Sequence, residues 1–343
     1  MLKKKASNLL AIALCFGALT ACSQKDTTQN IVFNPSSGSE GNPSQQVEHY
    51  PLTLSIYNDK GNEMQQTIEK EPQRIVVVGQ GFAEWMIGLG EEKRIVGLAY
   101  LDKSFSEYES QIKSLPVITE MWPSKESILE LKPDLIISMS SAFQKDRLGD
   151  ISFWNEWGIP VLTGINYTIG RTIDSFFDDI NNLGKVLNIE EKTNVFIENQ
   201  KDQISEIQSK AGQANGRPKI LLLGTSGDTT YYYGPSLCLI DEMIVGAGGE
   251  YIKVSEETYV DMSEESILSV NPDKIIITGF QKSDGEALIN KYLLNPKLKN
   301  ATAIKTGNVK VVGYTAAVRG SLGLSGLYME VAEFIHPELF KGE

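Results

Sequence analysis

Cysteine and histidine are scarce in this 343-residue sequence, which contains three of the first and two of the second. Cys15 and Cys22 lie close to the N-terminus, so only Cys238 belongs to the body of the chain, and disulfides cannot stabilise it. His49 and His336 lie near the two ends of that body. Because sites for bare zinc or manganese generally need histidine ligands, the sequence predicts no metal site.

Positive charge is also in deficit. The 32 lysine and arginine residues stand against 44 acidic residues and give a formal net charge of −12. Nucleic acids and anionic lipid surfaces repel a body of this charge, so we predict no nucleic-acid partner. The charge excludes no small ligand.

Sequence motifs of catalysis are missing as well. The segment "GQGFAE" resembles the start of a dinucleotide-binding loop, but Glu84 occupies the position of the third glycine. The sequence contains neither the glycine-rich phosphate loop that ends in Gly-Lys nor the Gly-x-Ser-x-Gly turn of many hydrolases. We therefore predict no catalytic residues, no cofactor and no enzymatic activity.

Long apolar runs are confined to the N-terminus. There "MLKKK" precedes the apolar run "LLAIALCFGAL", and "LTAC" follows at once. This order resembles a lipoprotein signal peptide, in which residues 1–21 are removed and a lipid is attached to Cys22. The alternative is an ordinary secretory signal with a cysteine at this position by chance.

The segment that follows, residues 22–48, is rich in Ser, Asn, Gln, Gly and Pro. Such a composition buries too little apolar surface to fold, so we predict a flexible tether between the lipid and the body. The body is then extracytoplasmic and is anchored to the outer face of the cell membrane.

The remaining sequence is typical of an α/β fold. The segment "YPLTLSIYNDKGNEMQQTIEKEP" predicts a β-hairpin. Short apolar runs without alternation, at 75–78, 95–99, 135–138 and 160–162, predict strands that are buried on both faces of a mostly parallel sheet. Helical patterns separate these strands.

A long helical region interrupts this order, and the α/β order restarts at "KILLLGTSG". We therefore predict two similar α/β lobes, each with a central, mostly parallel sheet flanked by helices. The predicted N-terminal lobe covers residues 49–170, the interlobe helix residues 171–189 and the C-terminal lobe residues 190–343.

Two segments of the body nearly repeat one another. "SKESILELKPDLIIS" (124–138) and "SEESILSVNPDKIII" (263–277) agree at nine of fifteen positions. In each copy the first serine is predicted to cap a helix, and the Pro-Asp pair to end that helix before a core strand. The repeat supports two lobes with the same local structure.

The order of motifs resembles the ABC-transporter substrate-binding proteins for ferric siderophores, haem and cobalamin. The resemblance covers roughly residues 50–340 and rests on "PQRIVVVGQGFAEWMIGLGEEKRIVGLAY", "PSKESILELKPDLIIS", "GIPVL", "DEMIVGAGGEYI", "DMSEESILSVNPDKIIITG", "NPKLKNATAIKTGNVKVV" and "IHPELF". It implies that a long rigid helix joins the lobes and that the ligand binds in the cleft between them. It also implies a monomer that works with a permease dimer and its ATPase.

In this family one surface glutamate on each lobe pairs with arginines of the permease. The matching positions are Glu126 and Glu265, one in each copy of the repeat, and the adjacent Glu264 could share or replace the second role. Exposed ion pairs suit a contact that must form and release. The alternative is that these acids only stabilise the positive end of a helix.

Ligands of α/β lobes bind outside the carboxyl ends of the strands, and the loops predicted there are rich in aromatic residues. The predicted ligand-binding residues are Tyr100, Trp122, Tyr231, Tyr232, Tyr233, Phe280, Tyr314 and Arg319. The rings offer flat faces to a macrocycle, and Arg319 offers a positive charge to an anionic chelate. At least one of the three consecutive tyrosines is expected in the core, as are Trp85, Trp154 and Trp157.

We favour an iron–siderophore as the ligand, with a corrinoid next. Haem-binding relatives often carry a tyrosine just before the first copy of the repeat, where this sequence has "VITEMWP", so haem is a weaker alternative. A single predicted arginine supplies little positive charge for a highly anionic catecholate chelate. The alternative from another class is a surface receptor or sensor subunit that presents a ligand without transport. The sequence barely separates this function from transport, because both need the same cleft.

Overall fold

The structure of the protein, a computed structural model, describes residues 49–102, 106–255, 257, 259–280 and 284–340. The predicted signal peptide (1–21), the tether (22–48) and the lipid-bearing Cys22 lie outside these residues. In the described part of the chain, no helix combines the length and the apolar composition that a membrane crossing requires.

The first half of the described chain forms a hairpin followed by alternating strands and helices. The strands are β1 (Leu52–Tyr57), β2 (Glu63–Ile68), β3 (Ile75–Val78), β4 (Ile95–Ala99), β5 (Val117–Thr119), β6 (Leu135–Met139) and β7 (Val161–Gly164). The helices are α1 (Gln80–Gly88), α2 (Glu109–Ser114), α3 (Lys125–Glu130) and α4 (Ile151–Glu156), with 3-10 turns at Glu92–Arg94 and Ser140–Ala142. Strands β1 and β2 pair antiparallel, as predicted.

The second half begins with two long helices and then returns to an α/β order. The helices are α5 (Ile173–Leu187), α6 (Glu190–Ala211), α7 (Ile240–Gly246), α8 (Glu264–Val270), α9 (Gly285–Leu293), α10 (Thr302–Lys305), α11 (Leu324–Ile335) and α12 (Pro337–Phe340). The strands are β8 (Lys219–Ser226), β9 (Thr229–Tyr233), β10 (Glu250–Tyr251), β11 (Tyr259–Asp261), β12 (Lys274–Gly279) and β13 (Val309–Val312). A π-helix covers Thr315–Arg319.

Apart from the β1–β2 hairpin, the strands form two separate α/β sheets. One is parallel in the order β5-β4-β3-β6-β7, and the other has the order β11-β9-β8-β12-β13, with β10 also pairing with β8. In the second sheet, β8, β12 and β13 are parallel, whereas β9 and β11 run antiparallel to their neighbours. We call each sheet with its helices a lobe, N-terminal and C-terminal respectively. The predicted fold class is confirmed.

Burial on both faces explains the central strands. Every residue of β3 and β6 is buried, because helices cover both sides of a parallel sheet. The strands predicted at 75–78 and 95–99 coincide with β3 and β4. Strand β6 extends one residue further than predicted, and β7 begins after Pro160, which has no amide hydrogen to give to a ladder.

Helix α5 follows the first sheet, and its sequence explains both of its ends. The amide of Ser175 donates to Thr172 Oγ1 at 3.0 Å and the amide of Thr172 donates to Ser175 Oγ at 2.9 Å, which is a capping box. Asn188 ends the helix in the left-handed region with φ 58°. The predicted interlobe segment 171–189 therefore contains a capped helix, while the lobe boundaries at 170 and 190 stay predictions.

The two copies of the repeat form the same helix start. Ser124 Oγ accepts a hydrogen bond from the amide of Ser127 at 3.2 Å, which caps α3. Ser263 Oγ accepts from the amide of Ser266 at 3.1 Å, which caps α8. Both predicted N-caps are confirmed.

The Pro-Asp pair of each copy also has a structural role in its lobe. The carboxylate of Asp134 accepts the amide of Arg74 at 2.8 Å, directly before β3. The carboxylate of Asp273 accepts the amide of Lys219 at 2.8 Å, at the start of β8. Each copy therefore fixes the start of a neighbouring central strand, which gives the repeat a physical reason in both lobes.

The tryptophans of the helical patterns divide into buried and exposed. Trp85 and Trp154 lie in the core, as predicted. The prediction for Trp157 is wrong, because this side chain is 60% exposed. Helix α4 ends at Glu156 and the chain turns at Gly158, with φ 70°, so Trp157 no longer continues the buried stripe of that helix.

Side chains of the N-terminal lobe bind the segment around the π-helix of the C-terminal lobe. Trp85 Nε1 donates to the carbonyl oxygen of Gly320 at 2.9 Å, and Thr315 Oγ1 donates to Asp102 Oδ2 at 2.6 Å. Gly81 of α1 lies beside Thr315, where a Cβ atom would come within 3.1 Å of the threonine methyl group. The π-helix is therefore seated directly against α1.

Two helical glycines give a matched test of the packing of α5 on α6. A Cβ atom at Gly184 of α5 would overlap Thr193 Oγ1, whereas one at Gly326 of α11 meets no heavy atom within 4 Å. We predict that Gly184→Ala lowers the free energy of unfolding by about 1–3 kcal/mol through overpacking. Gly326→Ala should raise it by about 0.5–1 kcal/mol, because alanine favours the helix. Chemical denaturation measures both values, and equal or greater stability of Gly184→Ala contradicts this packing.

Candidate functional site

The strands of both lobes place aromatic residues just beyond their carboxyl ends. Tyr100 follows β4 and Trp122 lies in the loop after β5. In the C-terminal lobe, Phe280 follows β12 and Tyr314 lies in the loop after β13. Ligands of parallel α/β sheets bind at this edge, so these loops form the candidate site.

A stack of rings crosses from one lobe to the other. The rings of Tyr100 and Trp122 stack with centroids 4.1 Å apart and planes 27° apart. The ring of Phe280 lies 6.3 Å from that of Tyr100 at 26°, and Phe280 packs on Tyr314 at 5.1 Å. The structure thus brings these four predicted residues together in one apolar surface.

The backbone of Tyr100 is unusual. Its φ of 57° is left-handed, which costs free energy for a residue other than glycine. The amide of Tyr100 donates to the carbonyl oxygen of Met121 at 3.1 Å, and the next amide donates to the carbonyl oxygen of Glu120 at 3.0 Å. These bonds hold the strained turn and aim the ring of Tyr100 at Trp122.

Arg319 supplies the charge of this surface. It ends the π-helix, and its side chain is buried, with 3% exposure of the residue. Its guanidinium carbon lies 5.4 Å from the ring centres of Tyr100 and Tyr314. Among the residues that the structure describes, Nε and Nη1 of Arg319 have no hydrogen-bond partner. A buried guanidinium with unused donors suits an anionic ligand, because a buried charge is costly unless it is paired.

The titration behaviour of the site agrees with an anionic ligand. Burial lowers the pKa of Arg319, but nearby tyrosines and Asp102 offset this effect, and the pKa lies above its ordinary value. Burial raises the pKa of Tyr314 and that of Tyr167, which the charge of Arg319 partly opposes in both cases. The site therefore presents the permanent positive charge of Arg319 and protonated hydroxyl groups that can donate hydrogen bonds.

Further tyrosines extend this surface along the C-terminal lobe. On β9, Tyr231 and Tyr233 lie on the same face, and Tyr259 of β11 pairs with Tyr233 in the ladder. The ring of Tyr259 lies 5.4 Å from that of Tyr231 and 5.9 Å from that of Tyr233. Tyr259 is 54% exposed, so it offers a ring to solvent at the edge of the cluster.

Tyr232 lies on the other face of β9. It is fully buried in a separate apolar cluster of the C-terminal lobe, where Leu221 and Ile277 also lie. Successive side chains of a strand alternate between the two faces, so Tyr232 cannot share the face of its neighbours. The expectation of at least one core tyrosine is confirmed, because Tyr232 and Tyr233 are 0% and 1% exposed, and we do not include Tyr232 among the proposed ligand contacts.

The predicted docking glutamates lie in equivalent places on the two lobes. Glu126 is in the first turn of α3 and Glu265 in the first turn of α8, and both are exposed. The pKa of Glu126 is lowered by its own backbone amide and by Ser124. Within the described ranges neither glutamate forms an ion pair, whereas Glu264 lies 3.7 Å from Lys297 Nζ. Asn295 also donates to Glu264, at 3.4 Å.

Four residues at or next to the site were not predicted from the sequence. Tyr167 follows β7, so the strand-end rule could have found it. Tyr259 begins β11 and reaches the site through the antiparallel pairing of β11 with β9. Arg147 lies with its guanidinium carbon 4.7 Å from the Trp122 ring, and Arg171 reaches the carbonyl oxygen of Arg319. No sequence signal marks these two arginines, because their partners are distant in the chain.

Two α/β lobes that share an aromatic surface around one buried arginine define a ligand-binding protein. A family model described as periplasmic binding protein matches residues 75–314, and the chain belongs to this family. The resemblance stated from the motifs is therefore confirmed.

Known proteins agree with this assignment. A Bacillus subtilis protein named "Uncharacterized ABC transporter substrate-binding lipoprotein YvrC" is 24% identical over 99% of this chain and 100% of its own length. The "Fe(3+)-citrate-binding protein YfmC" of the same organism is 26% identical over 81% of this chain and 84% of its own. The crystal structure of a periplasmic binding protein from Veillonella parvula has a TM-score of 0.73 at 22% identity and covers 85% of this chain and 93% of that one. The predicted class, a substrate-binding protein of an ABC transporter, is confirmed.

Proposed function

We propose that this substrate-binding protein captures an anionic ferric chelate at the aromatic surface and delivers it to the permease of an ABC importer. The observation that carries the proposal is the buried guanidinium of Arg319, whose Nε and Nη1 have no hydrogen-bond partner in the described part of the chain. Tyrosines and Trp122 supply the apolar walls around this charge.

An anion at Arg319 satisfies the physical requirements of the site. A charge-assisted hydrogen bond is about twice as strong as one between neutral groups, and the low dielectric of a buried site strengthens it further. The rings of Tyr100 and Phe280 then contact the apolar parts of the same ligand. The site therefore suits a molecule that combines negative charge with carbon groups that pack on aromatic rings, as ferric chelates and haem do.

A chelate fits better than a bare ion. In the ranges that the structure describes, no group of three or more His, Cys, Asp and Glu side chains is placed to hold a metal. Iron is favoured over cobalt because relatives named for ferric citrate and petrobactin match 81% and 80% of this chain, whereas a relative named for cobalamin matches 72%. Cobalamin and haem remain outcomes of the binding experiment below.

The mature protein is proposed to be a monomer anchored by a lipid on Cys22, extracytoplasmic and at the outer face of the cell membrane. The supporting observations are the basic, apolar and cysteine-containing order of the first 22 residues and the name lipoprotein of a relative that matches 99% of this chain. The anchor keeps the body within reach of the permease.

The permease is proposed to contact Glu126 and Glu265. Both carboxylates are exposed, and within the described residues neither is engaged in an ion pair, so both are available to cationic side chains of a partner. Glu264 is less suited because Asn295 and Lys297 already contact it. One charge on each lobe fixes the orientation of the protein on a two-fold permease, and exposed ion pairs release readily.

We predict that Arg319→Gln weakens the binding of ferric citrate to the purified full-length chain by about 10–100-fold, since a hydrogen bond to a charged group contributes roughly 1.5–3 kcal/mol. Calorimetric titration measures the affinity, and haem, cobalamin and a ferric catecholate are titrated beside ferric citrate. Arg94→Gln is the control, because Arg94 is also largely buried but pairs with Glu71 and Glu91 away from the site.

Arg94→Gln should retain the affinity of the wild type. If Arg319→Gln binds every ferric chelate as tightly as the wild type, the proposed role of the arginine is wrong. If cobalamin binds and no ferric chelate does, the importer class stands and the proposed ligand is replaced by a corrinoid.

We predict that the double charge reversal Glu126→Lys with Glu265→Lys lowers cellular uptake of radioactive iron from ferric citrate by at least about tenfold, because like charges then oppose docking. Its affinity for the chelate should equal that of the wild type. Glu264→Lys, one residue away on the same helix, should retain most of the uptake.

Normal uptake by the double variant contradicts the docking assignment. If Glu264→Lys and Glu265→Lys lower iron uptake equally, the permease contacts the whole N-terminal end of α8 and not Glu265 alone. A protein that binds the chelate but supports no uptake, even in the wild type, favours a receptor that presents its ligand without transport.

A further inference from the structure

Arg171 lies just before α5, where the chain leaves the N-terminal lobe. It is 1% exposed, and its Nη1 forms an ion pair with Asp179 Oδ2 at 2.7 Å. Its Nη2 donates a hydrogen bond to the carbonyl oxygen of Arg319, and its amide donates to the carbonyl oxygen of Ser236 at 2.6 Å. One residue thus connects the interlobe helix with two segments of the C-terminal lobe.

The bond to Arg319 falls at the end of the π-helix, where carbonyl groups are otherwise short of partners. The amide of Leu239 donates to Ala317 at 3.0 Å, and Trp85 donates to Gly320 at 2.9 Å. Arg171 donates to the carbonyl oxygen of Arg319, which lies between these two positions. π-Helical turns are less stable than α-helical ones, so their geometry depends on such outside contacts.

Two of these three donors come from outside the C-terminal lobe. Trp85 belongs to α1, and Arg171 lies beside α5. The backbone from which the Arg319 side chain leaves is therefore fixed mainly to the N-terminal lobe and the interlobe helix. Tyr100 and Tyr167 face Arg319 from the N-terminal lobe as well.

Asp179 braces Arg171 from the opposite side. Its Oδ2 accepts the amide of Ile165 at 3.1 Å as well as Nη1 of Arg171. Burial raises the pKa of Asp179, and Arg171 lowers it. The carboxylate therefore links the end of β7, the middle of α5 and the guanidinium, which leaves the other end of the planar group aimed at Arg319.

We propose that Arg171 is a positioning residue for ligand binding, which acts by holding the backbone of Arg319; this inference rests on the proposed function of Arg319. A buried ion pair is a weak source of stability by itself, because desolvation offsets the attraction. A planar guanidinium, however, can hold two partners on opposite sides at once, which the single ammonium group of lysine cannot do in the same geometry.

The test compares Arg171→Lys, Arg319→Gln and the double variant in the full-length chain, with ferric citrate as the probe. Arg171→Lys should weaken binding by about tenfold, and it should cost no further affinity in the Arg319→Gln background, because coupled residues are not additive. Arg94→Lys is the matched control for the loss of a buried arginine. Crystal structures of the wild type and Arg171→Lys give a readout that needs no ligand.

In the Arg171→Lys crystal, the Arg319 guanidinium should leave its position 5.4 Å from the rings of Tyr100 and Tyr314. If it does not move, or if the two affinity losses add in full, the positioning role is refuted. If Arg171→Lys does not fold, Asp179→Asn carries the same test, since it removes the brace and keeps Arg171. If the wild type binds none of the ferric chelates titrated above, the proposed function fails, and the crystal structures alone decide the positioning role.

Discussion

The surrounding structure depends on the buried guanidinium of Arg319, because a buried charge is costly unless it is paired. The guanidinium is buried among the rings of Tyr100 and Tyr314, which shield it from solvent without neutralising it. Trp85 and Arg171 hold the adjoining carbonyl groups, so the side chain starts from a fixed backbone. Preorganisation of this kind lowers the cost of binding, because the backbone that carries Arg319 is already fixed before the ligand arrives.

The two lobes contain the same local structure. In each, a serine caps a short helix, and an aspartate after the helix holds the start of a neighbouring strand. The helix beginning is thereby fixed relative to the sheet, and the exposed glutamate of its first turn is presented in an equivalent place on both lobes. A rigid presentation suits a partner that has to recognise both lobes together, because the spacing of the two charges then carries the specificity.

The sequence predicted what depends on local pattern and topology. Tyr100, Phe280 and Tyr314 were found because each follows an apolar strand pattern, and parallel strands end at one edge of a sheet. Trp122 was included as an aromatic residue of a loop, although β5, the strand before it, was not predicted. The sequence could not predict which of the three consecutive tyrosines faces the core, because identical residues give no alternating pattern from which to assign the two faces of the strand. The contact of Arg171 could not be predicted from the sequence, because its partner carbonyl group lies 148 positions away in the chain.

The most direct measurement is a crystal structure of the protein with a ferric chelate, with anomalous scattering recorded at the iron absorption edge. We predict one iron peak beside Arg319, next to the rings of Tyr100 from the N-terminal lobe and Phe280 from the C-terminal lobe. A peak elsewhere, such as the groove between α5, α6 and α7 that Phe177 and Glu242 help to line, contradicts the account. So does a chelate that leaves the buried guanidinium without an anionic partner.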